Sequence, residues 1–448
     1  MSLECRPGSR KLPTAPTPEE AESTGPSPLH ASPKHVELEH DTTTAAATLA
    51  PTKLSLSPAS TSTTLFFRVT GAAAVARLEP LLLNRPWQGG GVRWSPARTE
   101  AETVGVGPHG NRNGRAGVLD FVWETTVTKD RRRQHRSARV LNRLSGAQVL
   151  EDKANLAHLQ RLMTIPTLES YVVTGRVEVE RWADLRFRPA TIRPPRLPEI
   201  QENTKWQSLD GHEARGGWWC VKASGGNGGM DVWVVHEGNW RGVVERLHEA
   251  EEYVIQRYVE RPLLWRGRKF HFRCYATISA DMSAWLYRSA YILCASRPYT
   301  LGDGRMEEMG LADELVHISN LAVNKRTKGH PGQIPCDIPS EYPLLWPGML
   351  ELLRSLVEAA APFMEHQASV EHFEFLGLDI IADVTGGVWL IEVNRLPGLE
   401  SSVQNLAQEN SMYNSMMMDL VHLVVLPPLI GCPREPGLFE VGFLPSSG

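Results

Sequence analysis

Three oxygen-bearing side chains, Asp379, Glu392 and Asn394, sit in two apolar runs, LGLDII and WLIEVN, on either side of Val384, Thr385, Gly386 and Gly387. Apolar, β-branched runs around such a turn read as a β-hairpin. Pairing Asp383 with Val388 sets Asp379 directly opposite Glu392 and Gly377 opposite Asn394. Side chains alternate along a strand, so Glu392 and Asn394 then share that face, and a register slip of two residues keeps all three on it. Two like charges facing each other across a strand pair destabilise it unless something positive lies between them. Two carboxylates and an amide oxygen are hard donors that suit Mg²⁺ shared with nucleotide phosphates. The competing reading is one solvated acid and one acid paired by a basic side chain. A basic side chain closing the gap between Asp379 and Glu392 would remove the argument for the metal.

A second chemical block is GGWWCVKASGGNGGMDVWVVH, residues 217–236. An apolar strand delivers Lys222 to a glycine-rich loop (Gly225, Gly226, Gly228, Gly229) that leads into another strand. Glycines let backbone N–H groups approach phosphate closely, and a lysine at a strand end supplies a positive point charge. The lysine precedes the glycines and strands flank the loop, so this is not a Walker P-loop. Taken alone, a glycine loop between strands is most often a hairpin turn. Further on, YVIQRYV reads as a strand whose backbone and Gln256 amide would meet an adenine edge. In GRKFHFRCYATI, Lys269 and Arg273 flank His271 at a spacing of two, so the cations share a strand face, as triphosphate binding would require. The lysine, the glycine loop and the distal carboxylates together resemble the ATP-grasp arrangement, in which a nucleotide lies between two α+β lobes.

The elements that must position these residues occupy a chain of 448 residues, long enough for two or three domains with substantial cores. Lys+Arg number 47 against 51 Asp+Glu, a balance that argues against bulk attraction to nucleic acid or membrane. Six scattered cysteines without a CxxC pair read as reduced thiols in a cytosolic protein. No apolar run approaches the roughly 20 residues that span a bilayer. The longest, residues 423–430, is interrupted by Pro427 and Pro428. Residues 1–62, rich in Ser, Thr, Pro and Ala, read as a disordered tail, and their acidic residues count against a transit peptide. Residues 63–140 read as a small α/β domain, with LFFRVTG, GVRWS and VLDFVWET as strands and AAAVARLEPLLLN as a helix. Residues 141–265 read as a central lobe, 266–430 as a C-terminal lobe carrying the hairpin, and 431–448 as a tail. A basic run over residues 129–143 reads equally as a solvated face or localisation signal and as a docking patch for an acidic partner. LEDKANLAHLQRLM has helical spacing, and its Lys153 could reach a nucleotide, with a surface lysine as the safer reading. Residues 344–364 form an amphipathic helix cut by Pro362. The methionines of SMYNSMMMD read as core filling, and His317 reads equally as a substrate contact and as a satisfied structural histidine.

The motifs WWCVK with its glycine loop, YVIQRYVERPLL, GRKFHFR, HISNLAVNK, FEFLGLDII and WLIEVNRLPGL occur in the order found in the tubulin-tyrosine ligase-like family, and the chain resembles that family over residues 65–430. The resemblance implies a multi-lobed α+β ATP-grasp enzyme that uses ATP and Mg²⁺. It would attach an amino acid (glutamate, tyrosine or glycine) to tubulin or a related acidic acceptor, working on the cytoplasmic cytoskeleton, cilium or basal body. It implies further that Lys222, Gly225, Gly226, Gly228 and Gly229 hold the phosphates and that Gln256, Arg257, Tyr258 and Val259 frame the adenine. Lys269 would lie by the nucleotide and Arg273 by the γ-phosphate or acceptor carboxylate. Ser319 and Asn320 would flank the site, and Asp379, Glu392 and Asn394 would bind Mg²⁺. The implied chemistry moves the γ-phosphoryl to an acceptor carboxylate, and an amine then attacks the acyl phosphate. Three positions depart from the family pattern. His271 stands where the family has an aspartate, with loss or replacement of a ribose or metal contact. Leu293 stands where an arginine contacts the incoming amino acid, leaving Arg288 and Arg297 to compensate. Arg257 replaces a lysine. A tubulin-binding pseudo-ligase that keeps its nucleotide, or a ligase for another acceptor, is the alternative.

Overall fold

The computed structural model describes residues 63–445 apart from 71, 86, 88–90, 97–118, 125–137, 188–215, 227–230, 302–311, 365–370, 396 and 400–405. The expected N-terminal tail, most of the basic run, and Gly228 and Gly229 therefore lie outside the described residues.

Alternation of apolar and polar positions builds three sheets, each from consecutive strands. In the first, β1 (Thr63–Val69), β2 (Val92–Pro96), β3 (Phe121–Trp123) and β4 (Val140–Leu141) run parallel in the order β2-β1-β3-β4. Parallel neighbours need a crossover, and after β1 it is helix α1 (Ala72–Asn84), which buries Leu78, Leu81 and Leu82. Helix α2 (Lys153–Leu162) then opens on Asp152, whose carboxylate accepts from Asn155 N at 2.8 Å as an N-cap.

The second sheet is antiparallel, β5 (Ser170–Thr174), β6 (Trp219–Ala223), β7 (Val232–Val235) and β8 (Glu252–Arg257), in the order β5-β8-β6-β7. The period of two divides its side chains. Trp219, Val221, Ala223, Tyr253 and Ile255 form one core with Val179, Ala183 and Phe187 of helix α3 (Gly175–Phe187). The opposite face carries Cys220, Lys222 and Gln256.

The third sheet is centred on the long strand β10 (Arg268–Ser279), which pairs with β9 (Leu264–Trp265), β11 (Ala284–Tyr287), β12 (Ser289–Cys294) and β14 (Phe373–Ala382). β13 (Ile334–Asp337) joins β12, β15 (Val388–Asn394) joins β14, and β16 (Phe439–Phe443) joins β11. The hairpin forms where the sequence places it, but its closing register differs. Ala382, not Asp383, faces Val388, and a bulge after Asp379 then restores Asp379 opposite Glu392 and Gly377 opposite Asn394. Asp383 is free to close the turn. Its Oδ1 accepts from Thr385 N at 2.8 Å and Gly387 N at 3.0 Å, and its Oδ2 from Trp389 Nε1 at 2.9 Å.

Helix α4 (Trp346–Ala360) turns Met349, Leu352, Leu353, Leu356 and Val357 inward against β11, β15 and β16, and a 3₁₀ turn carrying Pro362 ends it. Helix α5 (Leu406–Leu420) behaves differently from expectation. It continues through a π-helical turn (Val421–Val425) into Leu426–Ile430, so Pro427 and Pro428 do not interrupt it. Both prolines fall in the first turn after the π segment, where a missing N–H costs little. The resulting Asn410–Ile430 stretch has 21 residues and holds an 18-residue window of mean hydropathy 1.2, long and apolar enough to cross a membrane. Here Tyr413, Met416, Met417, Leu420, Val424 and Val425 are buried in the core shared with the first sheet. Residues Ser62–Gly448 pack as one unit. The five described cysteines are free thiols.

One buried carboxylate ties the first sheet to the third. Glu374 of β14 is fully buried and accepts from Arg395 Nε and Nη2 at 3.0 Å each, from Leu144 N at 2.9 Å and from Arg143 Nη1 at 3.4 Å. Removing the acid strands two guanidinium groups in a dry setting. Glu374→Ala is expected to cost about 3–5 kcal/mol of stability. A urea denaturation midpoint equal to that of the wild type would refute this.

Candidate functional site

The polar face of the second sheet and one face of β10, β14 and β15 look into the same cavity. Segment 257–259 crosses from one wall to the other. Lys153, Lys222 and Lys269 line the cavity with Asp379 and Glu392, while Leu168, Val259, Ile381 and Ile391 supply an apolar stretch. A cavity that is part flat and apolar, part cationic, suits a ligand with an aromatic ring and a polyanionic tail.

Each cation is held by an identifiable partner. Lys222 Nζ donates to Gln256 Oε1 at 2.7 Å, and Gln256 Nε2 donates to Ser170 Oγ at 3.2 Å. The Gln256 amide thus orients the lysine rather than facing a base. Arg257 N and Tyr258 N already donate to Glu169 O and Trp218 O. Lys269 Nζ donates to His317 O at 2.9 Å and lies 3.8 Å from the Tyr258 ring centroid. Burial pushes Lys222 below its ordinary range and Lys269 down to about 8. Clustered buried ammonium groups of this kind are relieved by an anion.

β10 alternates, so Lys269, His271 and Arg273 share one face as the spacing predicts. Arg273 binds Asp379 through Nε at 2.5 Å and Nη2 at 3.0 Å, a two-pronged pair across β10 and β14. Lys153 Nζ lies 3.4 Å from Glu392 Oε1 and donates to Gly226 O. The gap between the two carboxylates is therefore flanked by basic side chains, and repulsion across the hairpin no longer requires a metal. Burial works against both members of the pair, yet mutual attraction wins, holding Asp379 below and Arg273 above their ordinary values.

The donor set still fits a hard divalent cation. A carboxylate has about four lone-pair directions and a guanidinium fork occupies two. Among the described residues, Glu392 is engaged only by Lys153, which leaves carboxylate lone pairs open to the cavity, and Asn394 keeps a buried Nδ2 without a partner. Asn394 itself does not line the cavity; it stands behind Glu392, beside Gly377. Arg273 likewise lies behind Asp379, and Gly225 is outside the lining, whereas Gly226, Arg257, Tyr258, Ser319 and Asn320 are in it.

The loop carrying Ser319 and Asn320 is fixed from below. Asn324 accepts from Ser296 N at 2.8 Å and donates to Ile318 O at 2.7 Å, and Asn320 Oδ1 caps a helical turn through Ala322 N at 2.9 Å. Ser319 Oγ meets His271 Nδ1 at 2.8 Å, and the other ring nitrogen of His271 stands 3.7 Å from Asp379 Oδ2. Burial lowers His271 to about 4, so the imidazole is neutral at neutral pH. His317 is a satisfied histidine, its Nδ1 3.0 Å from Tyr258 Oη, and it also lines the cavity. Leu293 is buried in an apolar cluster. Neither candidate to compensate for it reaches the cavity, since Arg288 faces Asp337 and Glu440 and Arg297 faces Asp313. Lys153 is the residue that sequence reasoning misplaced. It begins a helix far away in the chain, and no local spacing marks it as inward-facing.

The Tubulin-tyrosine ligase family profile matches residues 178–334 and 344–431. Similar proteins include a probable tubulin polyglutamylase from Bos taurus, 28% identical over 210 residues, covering 43% of this chain and 43% of the relative. One named probable tubulin polyglutamylase from Caenorhabditis elegans is 25% identical over 241 residues, covering 50% of this chain and 56% of the relative. Tubulin glycylase 3B from Drosophila melanogaster is 26% identical over 223 residues, covering 44% of this chain and 27% of the relative. The chain thus spans less than two thirds of the length of each.

The depressed Lys269 ammonium makes anion binding pH-dependent. Below about pH 8 it is already protonated; above, it must take up a proton when an anion binds. Affinity for inorganic triphosphate is expected to fall as pH rises from 8 to 9.5, by at most roughly tenfold per unit. Calorimetric titration giving a constant affinity across that range would exclude this role for Lys269.

Proposed function

Because the chain belongs to the tubulin-tyrosine ligase family, we propose that it is an ATP- and Mg²⁺-dependent ligase of multi-lobed ATP-grasp architecture that joins an amino acid to a tubulin carboxylate. The observation that carries this reading is the convergence of Lys153, Lys222 and Lys269, an apolar slot, and Asp379 with Glu392 in one cavity. The slot beside Val259, Ile381 and Ile391 would take the base, and the lysines the phosphates. Asp379 and Glu392 would hold Mg²⁺, which when bound neutralises charge developing in phosphoryl transfer. Arg273 fixes Asp379 and lies close enough to share its charge with an acceptor carboxylate or a terminal phosphate. The γ-phosphoryl would pass to that carboxylate, and the amine of the incoming amino acid would displace it from the acyl phosphate. Catalysis of this kind is mostly positioning and charge stabilisation, which a rigid β10–β14–β15 platform provides.

The names of the relatives direct attention to glutamate and glycine, with tyrosine as the further candidate. The acceptor would be the acidic tail of tubulin, which places the work on microtubules in the cytoplasm, including those of cilia and basal bodies. Incubation of the purified chain with Mg-ATP, microtubules and each labelled amino acid in turn tests the assignment. Burial of Leu293 and the outward engagement of Arg288 and Arg297 favour a second reading, a tubulin-binding pseudo-ligase that retains nucleotide affinity. Mg-ATP binding without incorporation of any amino acid selects it. Labelling of another protein in cell extract, with tubulin untouched, selects a different acceptor.

Glu392→Gln keeps the volume and removes the charge. Transfer is expected to fall by a factor on the order of 100 or more, with the thermal melt unchanged. Full activity in this variant would remove the metal from the reading.

A further inference from the structure

We propose that this site admits a single divalent cation, delivered with the polyphosphate and held by Asp379 and Glu392, and that His271 is the residue that keeps a second one out. The inference rests on reading the cavity as a nucleoside triphosphate site and adds the stoichiometry of its metal.

Hard divalent cations need anionic oxygen, and each additional ion needs more of it. Three carboxylates line the cavity: Asp231, exposed beside Gly226, and the two carried by β14 and β15, Asp379 and Glu392, which already face a cation. Asp379 takes two hydrogen bonds from Arg273, and Glu392 lies 3.4 Å from Lys153. Among the described residues, no three His, Cys, Asp or Glu side chains converge to hold an ion by themselves. A bound cation must therefore draw much of its coordination from phosphate.

Next to Asp379, on the strand that carries Lys269 and Arg273, position 271 is where a further carboxylate would stand. It lies between Lys269 and Arg273 on the cavity face of β10, and its Nε2 is 3.7 Å from Asp379 Oδ2. An acidic side chain there would add a carboxylate beside Asp379. The imidazole adds no negative charge in either protonation state. It is held by Ser319 through Nδ1, is 4% exposed, and leaves Nε2 without a hydrogen-bond partner.

Charge balance points the same way. Lys153, Lys222, Arg257, Lys269 and Arg273 oppose Asp231, Asp379 and Glu392, which leaves an excess of two positive charges. A triphosphate brings about two negative charges on its terminal group and one on each of the others, roughly four in all. With one divalent cation the assembly is neutral. With two, a pair of positive charges remains uncompensated in a largely buried setting, which is costly.

The test is Mn²⁺ titration of the full chain followed by electron paramagnetic resonance, with and without the non-hydrolysable β,γ-imido analogue of ATP. One tightly bound Mn²⁺ per chain in the presence of the analogue supports the inference, and His271→Asn should leave that number at one. His271→Asp should raise it to two, with cooperative uptake of the analogue and the second ion. Two Mn²⁺ in the wild type overturn the inference while leaving the nucleotide site standing. A folded His271→Asp variant that still binds one overturns the role given to His271. Failure of the analogue to bind at all overturns both the inference and the nucleotide reading beneath it. Should His271→Asp not fold, the wild-type count and the His271→Asn count still decide the stoichiometry.

Discussion

Arg273 and Asp379 face each other on adjacent strands, buried, joined by two hydrogen bonds, and most of the cavity is arranged around them. An ion pair this dry survives only with good geometry, because desolvation opposes both charges. β10 provides that geometry. It is the strand to which β9, β11, β12 and β14 all pair, so its side chains have little freedom to drift. Fixing Asp379 in turn fixes where the hairpin partner Glu392 stands, and with it Lys153 from a helix more than two hundred residues earlier. The carboxylates therefore stand in a prepared electrostatic setting before any ligand arrives.

The lysines complement this pair, Lys222 from the opposite wall and Lys269 from β10 itself. Lys222 is steered by Gln256 and Lys269 by the His317 carbonyl and the Tyr258 ring, so both ammonium groups are held in place although burial disfavours their charge. Holding charges where they are uncomfortable is a form of preorganisation, since a polyanion relieves the strain without moving the wall. Behind this wall, the core of Trp219, Tyr253 and Ile255 against helix α3 keeps the second sheet in register. Behind the other, Glu374 with Arg143, Leu144 and Arg395 anchors the end of the hairpin to the first sheet.

Of the three departures from the family pattern, Leu293 falls where the resemblance implies the incoming amino acid, and His271 and Arg257 fall where it implies the nucleotide. Leu293 is packed into an apolar cluster with Tyr275 and Tyr291, and it could not be exchanged for a cation without opening that core. His271 replaces charge with a neutral ring joined to Ser319. Asp379 and Glu392, by contrast, stand in the expected places, and so do Lys222 and Lys269.

Local pattern determined a good deal. The hairpin, the split of β10 into a charged face and an apolar face, the strand delivering Lys222, and the methionines as core all follow from period-two or helical spacing, because burial of one face is a local property of the chain. Family motifs, being strings of such faces, were legible for the same reason. Tertiary structure decided what depends on distance. It placed Arg273 against Asp379, brought Lys153 from a surface reading into the cavity, turned the Gln256 amide toward Lys222, and carried a helix through Pro427 and Pro428 by way of a π turn. It also shifted the hairpin closure by one residue and recovered the alignment of Asp379 with Glu392 through a bulge. Spacing specifies the direction in which a side chain points. Which opposite charge meets it is set by the packing of sheets far apart in sequence, and that energy is written in no single stretch of the chain.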